Sequence, residues 1–251
     1  MHTKSSKKSK SRKVIILTLC VLIAVIIVGS YAFSAYVNDY YPALDYSADA
    51  LDSSDTVSVT YLDKTTIAFT PENPKAGIIF YPGGRVEYTA YAPLLQKLSE
   101  SGYLCILLHM PYNLAVLDAD AADGIIGQFP EIDSWYMAGH SLGGAMASDY
   151  ISKHTEDFDG LILFAAYSTA DLSDSSLTVI SLYGSEDQVL NKEKYKENLT
   201  NLPENYTEFV IDGGCHAYFG CYGSQEKDGT PSITNAEQIE TAVDYITNTL
   251  P

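Results

Sequence analysis

The stretch GHSLGG at residues 139–144 follows an apolar run, Ser134–Ala138, and opens a helical pattern, Leu142–His154. The apolar run is typical of a buried strand, so a G-x-S-x-G motif falls on a strand–turn–helix junction. Glycines two residues before and after Ser141 relieve the crowding of a sharp turn, and the helix N-terminus lies beneath the serine. We therefore predict that Ser141 is a catalytic nucleophile rather than part of a structural glycine-rich turn.

A nucleophilic serine in this setting needs a histidine base later in the chain. His216 meets this requirement because it follows a strand pattern, Thr207–Ile211, and two glycines. The other downstream histidine, His154, lies at the end of the helix after Ser141, where a solvated cation is the expected role. The sequence predicts His216 as the base.

The base in turn needs a carboxylate that orients its ring and lies between serine and histidine in chain order. Asp187 fits, because it lies in the loop that follows a strand pattern, Leu177–Tyr183. Its neighbour Glu186 and the later Asp212 are the alternatives. We predict a Ser-His-Asp triad of Ser141, His216 and Asp187.

An acyl-transfer site also needs two N–H groups for the oxyanion of the intermediate. One is expected from Leu142, directly after the nucleophile. The other is expected from the loop PGGR at residues 82–85, which follows the strand pattern Ala76–Tyr81. Pro82 has no N–H, so we predict Gly84 or Arg85 as the donor, with Gly83 less favoured. Arg85 has two further interpretations, a contact to a substrate carboxylate or an ordinary surface position.

Strand and helix patterns alternate from residue 76 onward, which predicts an α/β domain with a mostly parallel sheet and helices on both faces. Two earlier strands, Val57–Leu62 and Thr65–Thr70, are expected to form an antiparallel edge. The remaining predicted strands are Tyr103–Leu108 and Gly160–Ala165, and the remaining predicted helices are Tyr88–Ser101, Ala115–Phe129, Asn191–Asn201 and Asn235–Thr249. The segment between the predicted strands Gly160–Ala165 and Leu177–Tyr183 is too short for a large cap domain.

The N-terminus has a separate character. Six of the 15 lysines and arginines lie in residues 1–13, and residues 14–33 form an apolar run without a charge. This pattern predicts a cytoplasmic basic tail and a transmembrane signal-anchor, with the rest of the chain outside the cell membrane. A cleaved signal and secretion are the alternative. Residues 34–56 are expected to form a stalk and a short packing helix, Pro42–Leu51, ahead of a catalytic domain over 57–251.

These motifs together resemble the α/β hydrolases, in particular bacterial members related to dienelactone hydrolase. The resemblance rests on FYPGGRVE at 80–87, Met110-Pro111 with the following Asn113–Ala115, the stretch 139–144, and GGCHAYFG at 213–220. It covers roughly Pro42 to Leu250. Serine stands at the nucleophile position where dienelactone hydrolases have cysteine. The resemblance implies an α/β-hydrolase fold and hydrolase chemistry.

From these residues we expect a serine hydrolase that cleaves a small carboxylic ester or acyl substrate. An acyltransferase or amidase with the same triad is the alternative, and a catalytically silent binding module is a third hypothesis. No cofactor and no metal are expected, because the cysteines and histidines show no ligand spacing. The formal net charge of −17 argues against nucleic-acid binding.

Two cysteines flank the predicted base in the stretch CHAYFGC, at residues 215–221. An extracytoplasmic location permits disulfides, and Cys20 and Cys105 fall in the apolar span and in a buried strand. Gly214 and Gly220 give the backbone freedom to bring the two sulfurs together. The sequence therefore predicts a Cys215–Cys221 disulfide that fixes the segment carrying His216.

Overall fold

The computed structural model describes residues 4–250, so residues 1–3 of the predicted basic tail and residue 251 lie outside it. The chain divides into two compact units, residues 1–40 and residues 41–251. The first unit is dominated by one long helix, and the second contains all the strands.

The helix of the first unit, α1, runs from Lys4 to Asn38. Its part Lys13–Asn38 has a mean hydropathy of 2.9 over its most apolar window and is long enough to cross a membrane. The apolar side chains from Val14 to Val28 are exposed around it. This segment is a candidate membrane span, and a signal sequence has the same properties. The helix continues through residues 34–38, where the sequence analysis placed the start of a stalk.

The second unit is built on an eight-stranded sheet with the order β1-β2-β4-β3-β5-β6-β7-β8. The strands are β1 Val57–Tyr61, β2 Thr66–Pro71, β3 Ala76–Tyr81, β4 Tyr103–Leu108, β5 Trp135–His140, β6 Gly160–Phe164, β7 Thr178–Gly184 and β8 Thr207–Ile211. The pairs β1–β2 and β2–β4 are antiparallel, and every other pair is parallel. The predicted parallel sheet with an antiparallel edge is confirmed.

Helices cover both faces of this sheet. They are α2 Ala92–Glu100, α3 Leu142–Ile151, α4 Lys192–Asn198 and α5 Asn235–Thr249. Alternate residues of β3 point to opposite layers: Ile78 packs in the layer that includes α2 and α5, whereas Ile79 packs in the layer that includes α3. Both faces of the inner strands are therefore apolar, as expected for a parallel sheet buried on both sides.

Short 3-10 helices fill several of the connections. They are Asp45–Leu51, Tyr88–Tyr91, Pro111–Asn113, Ala115–Leu117, Ile126–Gln128, Leu199–Asn201 and Ala217–Phe219. The predicted packing helix after Pro42 is the first of these. Between β6 and β7 the chain runs as a loop, in agreement with the absence of a large cap domain there.

The predicted helix Ala115–Phe129 is wrong. Only its two ends are helical, as single 3-10 turns, and the chain between them forms turns with Gly124 at φ 74°. The Tyr81 hydroxyl donates to the Ala119 carbonyl at 2.8 Å and accepts from the Ala122 N–H at 3.1 Å. A buried tyrosine thus takes backbone groups that a helix would have paired internally, and three aspartates in the segment favour turns.

Candidate active site

Ser141 occupies the sharp turn between β5 and α3. Its backbone has φ 51° and ψ −120°, a region that a non-glycine residue seldom adopts. The turn is held by the Ser141 N–H, which donates to the Phe164 carbonyl of β6 at 2.9 Å. Strained backbone of this kind is concentrated at functional sites, and here it places the serine at the N-terminus of a helix.

Glycines around the serine are required by close backbone contacts. A Cβ on Gly143 would collide with the carbonyl oxygens of Tyr81 and Pro82. A Cβ on Gly139 would lie 2.6 Å from the Gly143 carbonyl. The start of α3 therefore crosses directly over the chain that leaves β3. This crossing brings the helix N-terminus next to the 82–85 loop, which the sequence analysis placed at the oxyanion site.

His216 and Asp187 form a buried hydrogen-bonded pair. The His216 Nδ1–H donates to Asp187 Oδ2 at 2.9 Å, and their side chains are 2% and 0% exposed. A carboxylate can only accept a hydrogen bond, so Nδ1 is the donor here, and the acceptor of the neutral ring is Nε2. Nε2 is buried and has no hydrogen-bond partner among the described residues. His216 and Ser141 line one cavity, and within the described part of the chain Nε2 makes no hydrogen bond to the serine.

The two alternative acids are placed differently. Glu186 accepts a hydrogen bond from the Ser185 hydroxyl at 3.0 Å, and Asp212 is exposed in the turn after β8. Asp187 instead is 1% exposed, and its second oxygen accepts the N–H groups of Val189 at 2.9 Å and Leu190 at 2.8 Å. Its carboxylate is therefore fixed by three donors.

The 82–85 loop lies against Leu142, the residue after Ser141, because a Cβ on Gly84 would lie 2.8 Å from a methyl carbon of Leu142. The Arg85 N–H donates to the Asn113 carbonyl at 2.8 Å, and the Gly83 N–H donates to the Tyr91 hydroxyl at 3.1 Å. Both N–H groups are thus already hydrogen-bonded. Among the predicted loop donors, Gly84 is therefore the remaining candidate for the oxyanion. Leu142 is the first residue of α3, so its N–H has no acceptor within the helix.

The model of a family described as the alpha/beta hydrolase family matches residues 77–240. The chain belongs to the alpha/beta hydrolase family. Two solved structures illustrate the shared fold. A predicted CIB-like hydrolase from Thermoplasma acidophilum has 16% identity and a TM-score of 0.54, with 76% of this chain and 98% of that chain covered. A protein of Thermus thermophilus has 16% identity and a TM-score of 0.57, with 77% and 98% covered. No curated protein sequence matches the chain.

A chain of buried hydrogen bonds links three parts of this alpha/beta hydrolase site. His140 donates from Nε2 to the His216 carbonyl at 3.1 Å, so its Nδ1 must accept the Tyr91 hydroxyl proton at 2.7 Å. The Tyr91 oxygen accepts the Gly83 N–H. Burial lowers the pKa of His140 well below its usual range, and the neighbouring His216 lowers it further. A neutral His140 therefore joins the segment that carries His216 to the loop after β3.

Two residues that the sequence motifs do not reveal hold the segment that carries His216. Asp228 accepts the N–H groups of His216 at 3.2 Å and of Ala217 at 2.9 Å. Gln238 pairs with both the N–H and the carbonyl of Cys215, at 2.9 and 2.8 Å. Nothing in the local sequence distinguishes this aspartate from the many others, whereas the Gln238 position is recognisable as one turn into α5.

The predicted Cys215–Cys221 disulfide is not formed, and both residues are free thiols. The Cys221 thiol donates to the Asn235 side chain at 2.9 Å, and the backbone of Cys215 is held by Gln238. Burial raises the pKa of Cys221 to about 11 and that of Cys215 to about 12. Both thiols therefore remain protonated, and each sits in a separate hydrogen-bonding environment on either side of the Ala217–Phe219 turn.

Proposed function

We propose that this alpha/beta hydrolase is a serine hydrolase that cleaves a carboxylic ester through an acyl-enzyme on Ser141. The observation that carries the proposal is the His216–Asp187 pair, which commits the proton to Nδ1 and leaves Nε2 as an acceptor in the cavity shared with Ser141. A neutral histidine with its other nitrogen fixed by a carboxylate is the arrangement that general-base catalysis needs.

In the first step the Ser141 Oγ bonds to the ester carbonyl carbon, and its proton passes to His216 Nε2. The carbonyl electron pair moves to the oxygen, which the N–H groups of Leu142 and Gly84 stabilise. The carbon–alkoxide bond then breaks, and the proton on Nε2 passes to the departing alcohol. Water repeats the sequence on the acyl-enzyme, with His216 as base, and releases the acid. No cofactor takes part in these steps.

Mass spectrometry of the full chain in detergent tests the acyl-enzyme. After rapid quenching during p-nitrophenyl acetate turnover, we expect one added acetyl group on the peptide that contains Ser141. Hydrolysis of amides but not esters would favour the amidase, and acyl transfer to an added alcohol in preference to water would favour the acyltransferase. Absence of both turnover and adduct with every ester and amide would contradict the proposal and favour a binding module.

We further infer that the chain is anchored in the cell membrane by α1, with the catalytic unit outside. The apolar span and the basic residues ahead of it support this orientation. Protease added to intact cells that express a C-terminally tagged chain is expected to remove the tag, while a cytoplasmic marker protein stays intact. Recovery of the protein from the medium, starting near Ala35, would show a cleaved signal instead.

A further inference from the structure

The cavity beside Ser141 is built from one side of the nucleophile only. It is about 280 Å³ in volume. Its walls come from the loop after β6, with Ala165 and Ala166, and the loop after β7, with Val189 and Leu190. The loop that carries Gly84 follows β3, which pairs with the opposite edge of β5. The group that occupies the cavity therefore lies on the side of Leu142, one proposed oxyanion donor, and away from Gly84, the other.

The walls of this cavity are mostly apolar. Leu142 and Ala145 from the first turn of α3 complete them, and Tyr167 and Asn191 add neutral polar groups. Among the described residues that line it, none is Asp, Glu, Lys or Arg. Transfer of an unpaired charge into such surroundings is strongly unfavourable. The chemistry of the walls thus selects an uncharged occupant.

The size of the cavity selects a short occupant. Pockets for drug-sized ligands are typically about 300–1,000 Å³, so this cavity of about 280 Å³ lies just below that range. Its walls are also fixed. A Cβ on Gly144 would lie 2.5 Å from the Ala166 side chain, which shows how closely α3 packs against the loop after β6. The N–H groups of Val189 and Leu190 are both held by Asp187.

The alcohol and acyl halves of an ester stay in the site for different parts of a two-step reaction. The alcohol must leave before water enters, whereas the acyl group stays bonded to the serine through both steps. A fixed apolar cavity beside Ser141 suits the half that stays. We propose that it is the acyl-binding pocket and that the substrates are esters of short, uncharged carboxylic acids. This inference rests on the proposed serine-hydrolase function and adds the substrate class to it.

Two substitutions test the pocket in opposite directions. Ala145→Leu fills the cavity, so the kcat/KM for p-nitrophenyl butyrate should fall by about 10-fold or more relative to acetate, the discrimination that one or two methylene groups give in a tight pocket. Leu190→Ala enlarges the cavity, so the kcat/KM for p-nitrophenyl octanoate relative to acetate should rise by a similar factor. Ratios within one variant do not depend on the fraction of protein that is folded.

Ala236→Leu is the matched control, because Ala236 is exposed on α5 and lies outside the cavity. It should leave the chain-length profile of the wild-type chain unchanged. A preference of the wild type for laurate or for a succinate half-ester would overturn the inference. So would a profile that follows the alcohol rather than the acyl chain when each is varied separately. Complete lack of Ser141-dependent turnover would instead contradict the proposed function itself.

Discussion

Ser141→Ala is expected to lower kcat for p-nitrophenyl acetate by about 10⁶-fold, the loss typical when a nucleophilic serine of a triad is removed. The substitution deletes the Oγ that we propose forms the acyl-enzyme, and it leaves the His216–Asp187 pair and the cavity walls in place. Alanine keeps the Cβ that serine already carries at φ 51°, so the fold and the melting temperature should stay close to those of the wild type.

Stopped-flow and steady-state kinetics on the full chain measure the loss, and Ser58→Ala provides the control. Ser58 is an exposed serine on β1, at the far edge of the sheet from β8 and several strands from β5. His216→Ala should produce a loss of comparable size, and the double variant should be no worse than either single one, because the two residues act as a unit. Wild-type turnover in the Ser141 variant would remove the serine from the mechanism.

Much of the fold was predictable because a few patterns settle it. Buried strands on both faces give continuous apolar runs, and helices between them require parallel pairing. In such a sheet the carboxyl ends of the strands meet at one edge. The chain order of Ser141, Asp187 and His216 in three strand-end loops therefore predicts that they converge. The structure brings the last two within hydrogen-bonding distance and places the first in the same cavity.

The errors come from side chains that act across the sheet. The 115–129 segment has apolar residues at helical spacing, but the Tyr81 hydroxyl from β3 competes for its backbone groups. The same limit applies to the buried chain from Tyr91 through His140 to the His216 carbonyl. Each contact joins residues far apart in sequence, and periodicity within one segment carries no information about such partners.

The thiols of Cys215 and Cys221 show that, even for residues close in sequence, spacing does not reveal the partner of a side chain. Their spacing permits a disulfide, but spacing does not fix the direction of a side chain. Asn235 at the start of α5 accepts the Cys221 thiol proton and also donates to the carbonyls of Tyr218 and Gly220. A polar partner from a distant helix thus decides where one sulfur points. The segment that carries His216 is held by hydrogen bonds instead of a covalent bridge.

The Asp187 carboxylate performs two tasks, and two substitutions separate them. Oδ2 accepts from the His216 ring, and Oδ1 accepts the N–H groups of Val189 and Leu190 in the pocket wall. Asparagine keeps a carbonyl oxygen for the wall but presents an NH₂ donor to the ring. The imidazole must then carry its proton on Nε2, where it can no longer accept the proton of Ser141.

Asp187→Asn should therefore lower kcat by about 10⁴-fold while KM and the melting temperature change little. Asp187→Ala removes both tasks and leaves two wall N–H groups without an acceptor, at a cost of about 1–3 kcal/mol for each buried group. We expect this variant to lose as much kcat, to melt at a lower temperature and to lose the proposed preference for short acyl chains. Glu186→Gln is the matched control, because it makes the same acid-to-amide change one residue earlier. If Glu186→Gln abolishes turnover and Asp187→Asn does not, the orienting acid is Glu186. Asp187 then has only the structural task of holding the N–H groups of Val189 and Leu190.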